Sequence, residues 1–122
     1  MEGKTTILLV EDEAPIRRLA QRMLEIDGFR VLEAPSVNAA LAAAAGQTLH
    51  LVITDYKLPD LSGEELLATL RKERPGLPAV VMSGFGSDVL EAPPDPSCRT
   101  LFLPKPFARD TLREIVQTAL GR

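Results

Sequence analysis

The chain has 122 residues, 45% of them apolar and 25% charged, ordinary values for a single globular domain able to bury its own core, so one domain over residues 1–122 is expected. Fourteen Lys and Arg against 17 Asp and Glu leave a net charge of -3, a poor match for phosphate backbones, and no nucleic-acid partner is expected. Cys98 alone cannot form an internal disulfide and His50 is the only imidazole, which removes Cys/His zinc sites and complete internal Ser-His-Asp or Cys-His triads; no apolar run nears the ~18 residues that span a bilayer and residues 1–10 lack a signal-peptide pattern, so a cytoplasmic protein without membrane contact is expected.

The first apolar run, Thr6 to Val10, has strand length and no polar alternation. Ile16, Leu19, Ala20, Met23 and Leu24 then recur at helical spacing, with Pro15 suited to the first turn and Gly28 to the stop. Arg30 to Glu33 forms the weakest strand candidate and suits a sheet edge. Ser36 can cap a helix over Val37 to Ala45 whose alanines favour helix and close packing, and Gly46 ends it. A third strand is expected over Leu49 to Thr54. Ser62 and Glu65 have capping-box spacing ahead of Leu66, Leu67 and Leu70. Two further strands are expected over Ala79 to Met82 and Thr100 to Leu103, and a last helix from about Asp110 to Leu120 turns Leu112, Ile115, Val116 and Ala119 inward. Continuous apolar strands alternating with helices predict a doubly wound α/β fold around a parallel sheet. The crossover Ser83 to Arg99 departs from this pattern, because Pro93, Pro94 and Pro96 leave room for only a short or irregular helix.

Polar residues stand at four strand ends: Glu11 and Asp12 after the first, Asp55 after the third, Ser83 after the fourth and Lys105 after the fifth. In an open α/β sheet ligands bind outside those ends, so the four groups are expected to share one crevice. Three carboxylates there repel one another unless a cation intervenes, and Lys105 alone is insufficient. A hard divalent ion such as Mg2+ meets the need and accepts phosphate oxygens at its remaining positions. Asp55 can then act as an oxygen nucleophile, with Lys105 neutralising phosphoryl oxygens and Ser83 donating a hydrogen bond to one of them.

On Glu11-Asp12-Glu13, Asp55-Tyr56-Lys57-Leu58-Pro59-Asp60-Leu61-Ser62-Gly63, Met82-Ser83-Gly84 and Lys105-Pro106-Phe107, the chain resembles a receiver domain of two-component signalling, the response-regulator family. The resemblance covers essentially the whole chain, and four motifs in order at family spacing make it specific. It implies a flavodoxin-like sheet of five parallel strands ordered 2-1-3-4-5, with a short or irregular version of the helix that crosses between the fourth and fifth strands. It implies Mg2+ on Asp12, Asp55 and the Lys57 carbonyl, with Glu11 helping through water. It also implies a phosphoryl group arriving from the phosphohistidine of a sensor histidine kinase or histidine-phosphotransfer domain, to a monomeric acceptor that is not itself an enzyme. Met82-Ser83-Gly84-Phe85 and the proline-broken crossover resemble receivers at the C-terminal end of hybrid sensor kinases.

Blander readings stand beside these. Phe102 matches the family's switch aromatic and equally suits plain core; Glu13 suits a loop carboxylate or helix cap; His50, at the start of a strand, suits a surface or packing role away from the motif. A haloacid-dehalogenase-like phosphatase would also use an Asp nucleophile and Mg2+, but needs a second Asp where Lys57 stands. A receiver-like interaction module that is never phosphorylated remains the other alternative.

Overall fold

A computed structural model describes residues 5–83 and 100–121. Five strands, β1 (Thr6–Val10), β2 (Arg30–Ala34), β3 (Leu51–Asp55), β4 (Ala79–Ser83) and β5 (Thr100–Pro104), form one sheet in the order β2-β1-β3-β4-β5. Every pairing is parallel. Among the described residues four helices connect and flank them: α1 (Ala14–Ile26), α2 (Val37–Ala44), α3 (Gly63–Glu73) and α4 (Arg109–Ala119). The doubly wound fold is the one the sequence pattern predicts, and the strand order is the one the family resemblance implies. The expected short or irregular helix in the crossover from Ser83 to Arg99 lies outside the described residues. No helix among them is long and apolar enough to cross a membrane.

The unbroken apolar runs follow from the two covered faces of the sheet. Successive side chains of a strand point to opposite faces. Leu8, Val10, Val52 and Val81 therefore face one core with Ala40 and Ala44 of α2 and Leu66 and Leu70 of α3. Ile7, Leu9, Ile53 and Met82 face the other with Ala20 and Leu24 of α1 and Leu112 and Val116 of α4. The edge strand β2 is only half covered, which accounts for its weak apolar signal. The alanine tract is a helix pressed close to the sheet, with Ala40 and Ala44 buried.

Three local expectations need adjustment. Leu19 fits the apolar spacing of α1 but is 54% exposed. The buried Ala20 and Leu24 set the inward direction, and at 3.6 residues per turn Leu19 lies roughly 120° away from it. Strand β3 begins at Leu51 rather than Leu49 and reaches Asp55, and β4 reaches Ser83, because Asp55 still pairs with Met82 and Ser83 with Pro104 in register. His50 precedes β3 at the end of the sheet remote from the strand C-termini, where its Nδ1 accepts a hydrogen bond from the Thr6 amide at 2.9 Å.

The start of α3 is unusually close to β3. Both halves of the Ser62–Glu65 capping box form, Ser62 Oγ accepting from the Glu65 amide and Glu65 Oε1 from the Ser62 amide. The Gly63 amide donates to the Tyr56 carbonyl at 2.7 Å, and a β-carbon on Gly63 would collide with the Asp55 carbonyl oxygen. Backbone cannot yield as a flexible side chain does. Gly63→Ala is therefore expected to cost about 1–3 kcal/mol, the usual range for overpacking. Urea denaturation checks it, and a midpoint equal to that of the parent would contradict so close an approach.

Candidate phosphoryl and divalent-ion site

The C-terminal ends of β1, β3 and β5 bring Glu11, Asp55 and Lys105 into contact. Glu11 follows β1 and is completely buried. Its amide donates to the Ala34 carbonyl at 3.0 Å, continuing the ladder with β2. Its Oε2 accepts from the Glu13 amide at 3.1 Å, and its Oε1 lies 2.6 Å from Lys105 Nζ. That ion pair lacks hydrogen-bond alignment, so Glu11 Oε1 is a buried oxygen without an aligned donor. Glu13 itself occupies the N-cap position of α1 and makes no side-chain cap bond. Arg17 fixes the turn from outside: its Nη1 donates to the Glu11 carbonyl at 2.8 Å while its Nε holds Glu33 Oε1 at 2.7 Å.

Asp55 ends β3 and is 8% exposed. Its Oδ1 accepts from the Tyr56 amide at 2.9 Å, and its Oδ2 receives Lys105 Nζ at 3.1 Å. The Lys105 amide donates to the Ser83 carbonyl at 2.8 Å, tying the lysine backbone to the end of β4. Ser83 is buried beside Met82, the register partner of Asp55. Asp12 is exposed at the mouth. Carboxylate oxygens of Glu11, Asp12 and Asp55 all lie within 4.8 Å of one another.

Burial, with the nearby Asp55 charge adding to it, pushes the Glu11 carboxyl above its ordinary range against the pull of Lys105 and the Glu13 amide. Burial by itself would lower the Lys105 ammonium, but contact with Glu11 and the charge of Asp55 outweigh it and hold the group above its ordinary range. One ammonium thus serves two carboxylates while a third stands at the entrance. A hard cation with oxygen preference fits this donor set: three carboxylates converge beside a single ammonium, and the side with Asp12 opens to solvent.

The other predicted residues sit around this centre. Lys57 is exposed, and its backbone forms an isolated antiparallel bridge with Ser62 that closes the loop after β3. Phe102 is half-buried, packed beside the α2–α3 core and paired in register with Val81. Sequence reasoning assigned no role to Arg17, Gly63 or Asp60. Each acts on a group that is distant in sequence or, for Gly63, through a backbone approach that only the folded chain reveals.

Residues 7–117 match the family model for the response regulator receiver domain. The chain belongs to that family. It is 34% identical over 124 residues to the sensor kinase CckA of Brucella abortus, covering 100% of this chain and 13% of that protein. It is 32% identical over 114 residues to the transcriptional regulatory protein FixJ of Rhizobium meliloti, covering 93% of this chain and 56% of that one. This receiver thus spans from about an eighth to a little over half of these relatives. Among solved structures, the receiver domain of the hybrid histidine kinase CckA superposes with a TM-score of 0.79 at 35% identity, covering 94% of this chain and 98% of that one. A CheY-like receiver protein from Methanospirillum hungatei gives 0.83 at 29% identity, covering 98% and 95%. Receiver domains interact with histidine kinases or phosphotransfer proteins, and this chain carries the fold of that class.

Proposed function

We propose that residues 1–122 act as one receiver unit that accepts a phosphoryl group onto Asp55 from the phosphohistidine of a sensor kinase or histidine-phosphotransfer domain. The observation that carries this reading is the convergence of the Glu11, Asp12 and Asp55 carboxylates within 4.8 Å, with Lys105 bridging Glu11 and Asp55. One Asp55 carboxylate oxygen attacks phosphorus, the phosphorus–nitrogen bond of the donor breaks, and the imidazole leaves with the bonding pair. The Lys105 ammonium, already 3.1 Å from Asp55 Oδ2, is within reach of an oxygen of the arriving phosphoryl group. Ser83 donates its hydroxyl to another. Mg2+, held by Asp12, Asp55 and the Lys57 carbonyl with Glu11 contributing through water, would supply the remaining positive charge on the phosphoryl oxygens. The nucleophile is consumed in the transfer, so the domain is an acceptor rather than a turnover enzyme. It works in this reading as a cytoplasmic monomer, without nucleic acid or membrane, and Phe102, packed on the α2–α3 side of the sheet, serves in it as the switch aromatic.

The divalent-ion half of this reading is tested with Asp12→Ala. Asp12 is exposed, so the variant should fold as the parent does while binding Mg2+ at least ~10-fold more weakly, since even outer partners of metal ligands contribute about that much. Calorimetric titration measures it. An unchanged Mg2+ affinity would remove Asp12 from the site.

A further inference from the structure

Asp60 belongs to the loop after β3 yet hydrogen-bonds to a helix that begins 23 residues earlier. Its Oδ1 accepts from the amides of Val37 at 3.0 Å and Leu61 at 2.9 Å, and its Oδ2 accepts from the Asn38 amide at 2.8 Å. The first turn of α2 leaves its leading amides without helical partners. Ser36 Oγ satisfies Ala39, and Asp60 satisfies Val37 and Asn38. Those backbone bonds hold the exposed Asp60 carboxyl below its ordinary range.

The position of this turn gives the bond its meaning. The residue that closes β2, Ala34, accepts the Glu11 amide at 3.0 Å. The segment from Ala34 to Asn38 is therefore a bracket: its near end holds the backbone of the acidic pair, and its far end holds the loop that carries Lys57. At its base that loop is closed on itself by the Lys57–Ser62 bridge. Asp60 is the side chain that latches it across to the bracket. We infer that Asp60 is a positioning residue that sets the spacing between the Glu11–Asp12 turn and the Lys57 carbonyl, and so the affinity of the site for a divalent ion.

This inference rests on the divalent-ion reading proposed above, and the experiment separates the two. Mg2+ titrations of the parent, Asp60→Ala and Ser36→Ala are followed by calorimetry and by the fluorescence of Tyr56, the sole tyrosine in a chain without tryptophan. Ser36→Ala also removes a cap from α2 but leaves the latch in place. Asp60→Ala should bind Mg2+ about tenfold more weakly, as expected for a supporting partner, whereas Ser36→Ala should match the parent despite a lower melting temperature. Repeating the series near 1 M KCl, where the Debye length is about 3 Å, screens the mere loss of a negative charge. A weakening that persists in salt supports the latch. A weakening that vanishes in salt, an equal loss in Ser36→Ala, or an unchanged affinity in Asp60→Ala overturns it. If the parent itself binds no Mg2+, the divalent-ion reading falls and the latch falls with it.

Discussion

Asp55→Asn is expected to reduce phosphoryl incorporation to background. The substitution is nearly isosteric, and an amide oxygen at the Oδ1 position can still accept from the Tyr56 amide, so the backbone at the end of β3 keeps its bond. The side chain loses its charge and its nucleophilicity together. Lys105 keeps its contact with Glu11 at 2.6 Å, which preserves the internal ion pair. Loss of labelling would thus be a loss of chemistry, and an unchanged circular dichroism spectrum would show that the sheet is intact. Labelling of the variant at the level of the parent would contradict Asp55 as acceptor.

Lys105→Ala carries the second large effect, and its direction differs between two readouts. The ammonium faces two carboxylates, so its removal leaves Glu11, Asp12 and Asp55 with less compensation. A divalent ion is then opposed by one positive charge fewer, and Mg2+ affinity should hold or rise. The response to beryllofluoride, which mimics the phosphoryl group, should fall about 100-fold, the scale of losing one preorganised charge partner to developing oxygen charge. Without Mg2+ the variant should be less stable than the parent, because buried Glu11 loses its cation. Titrating Mg2+ alone and then beryllofluoride with Mg2+ separates the two effects. Equal losses in both would mean that Lys105 supports the metal site rather than the phosphoryl group.

The residues that made this site legible are those whose position follows from local periodicity. Continuous apolar runs located the strands, the strand ends located Glu11, Asp12, Asp55, Ser83 and Lys105, and the Ser62–Glu65 spacing located a capping box that forms in full. Local pattern failed where a long-range contact decides. Leu19 satisfies helical spacing, but the orientation of α1 is set by the sheet, which takes Ala20 and Leu24 instead. Asp60 reads as one more polar loop residue, because the amides it satisfies are supplied 22 and 23 positions away. Arg17 reads as part of the polar face of α1, although its guanidinium joins the Glu11 carbonyl to Glu33 on the edge strand. Glycine at position 63 is needed for the proximity of the Asp55 carbonyl, which no spacing rule contains.

Chemical trapping on the unsubstituted chain tests the assignment of Asp55 most directly. The protein is incubated with a small phosphodonor such as phosphoramidate and Mg2+, reduced with borohydride to convert an aspartyl phosphate into homoserine, and digested for mass spectrometry. Homoserine at position 55, dependent on both donor and Mg2+, is the expected result. A trapped product at Asp12 or Glu11 instead, or no product under conditions where Mg2+ is bound, would contradict it.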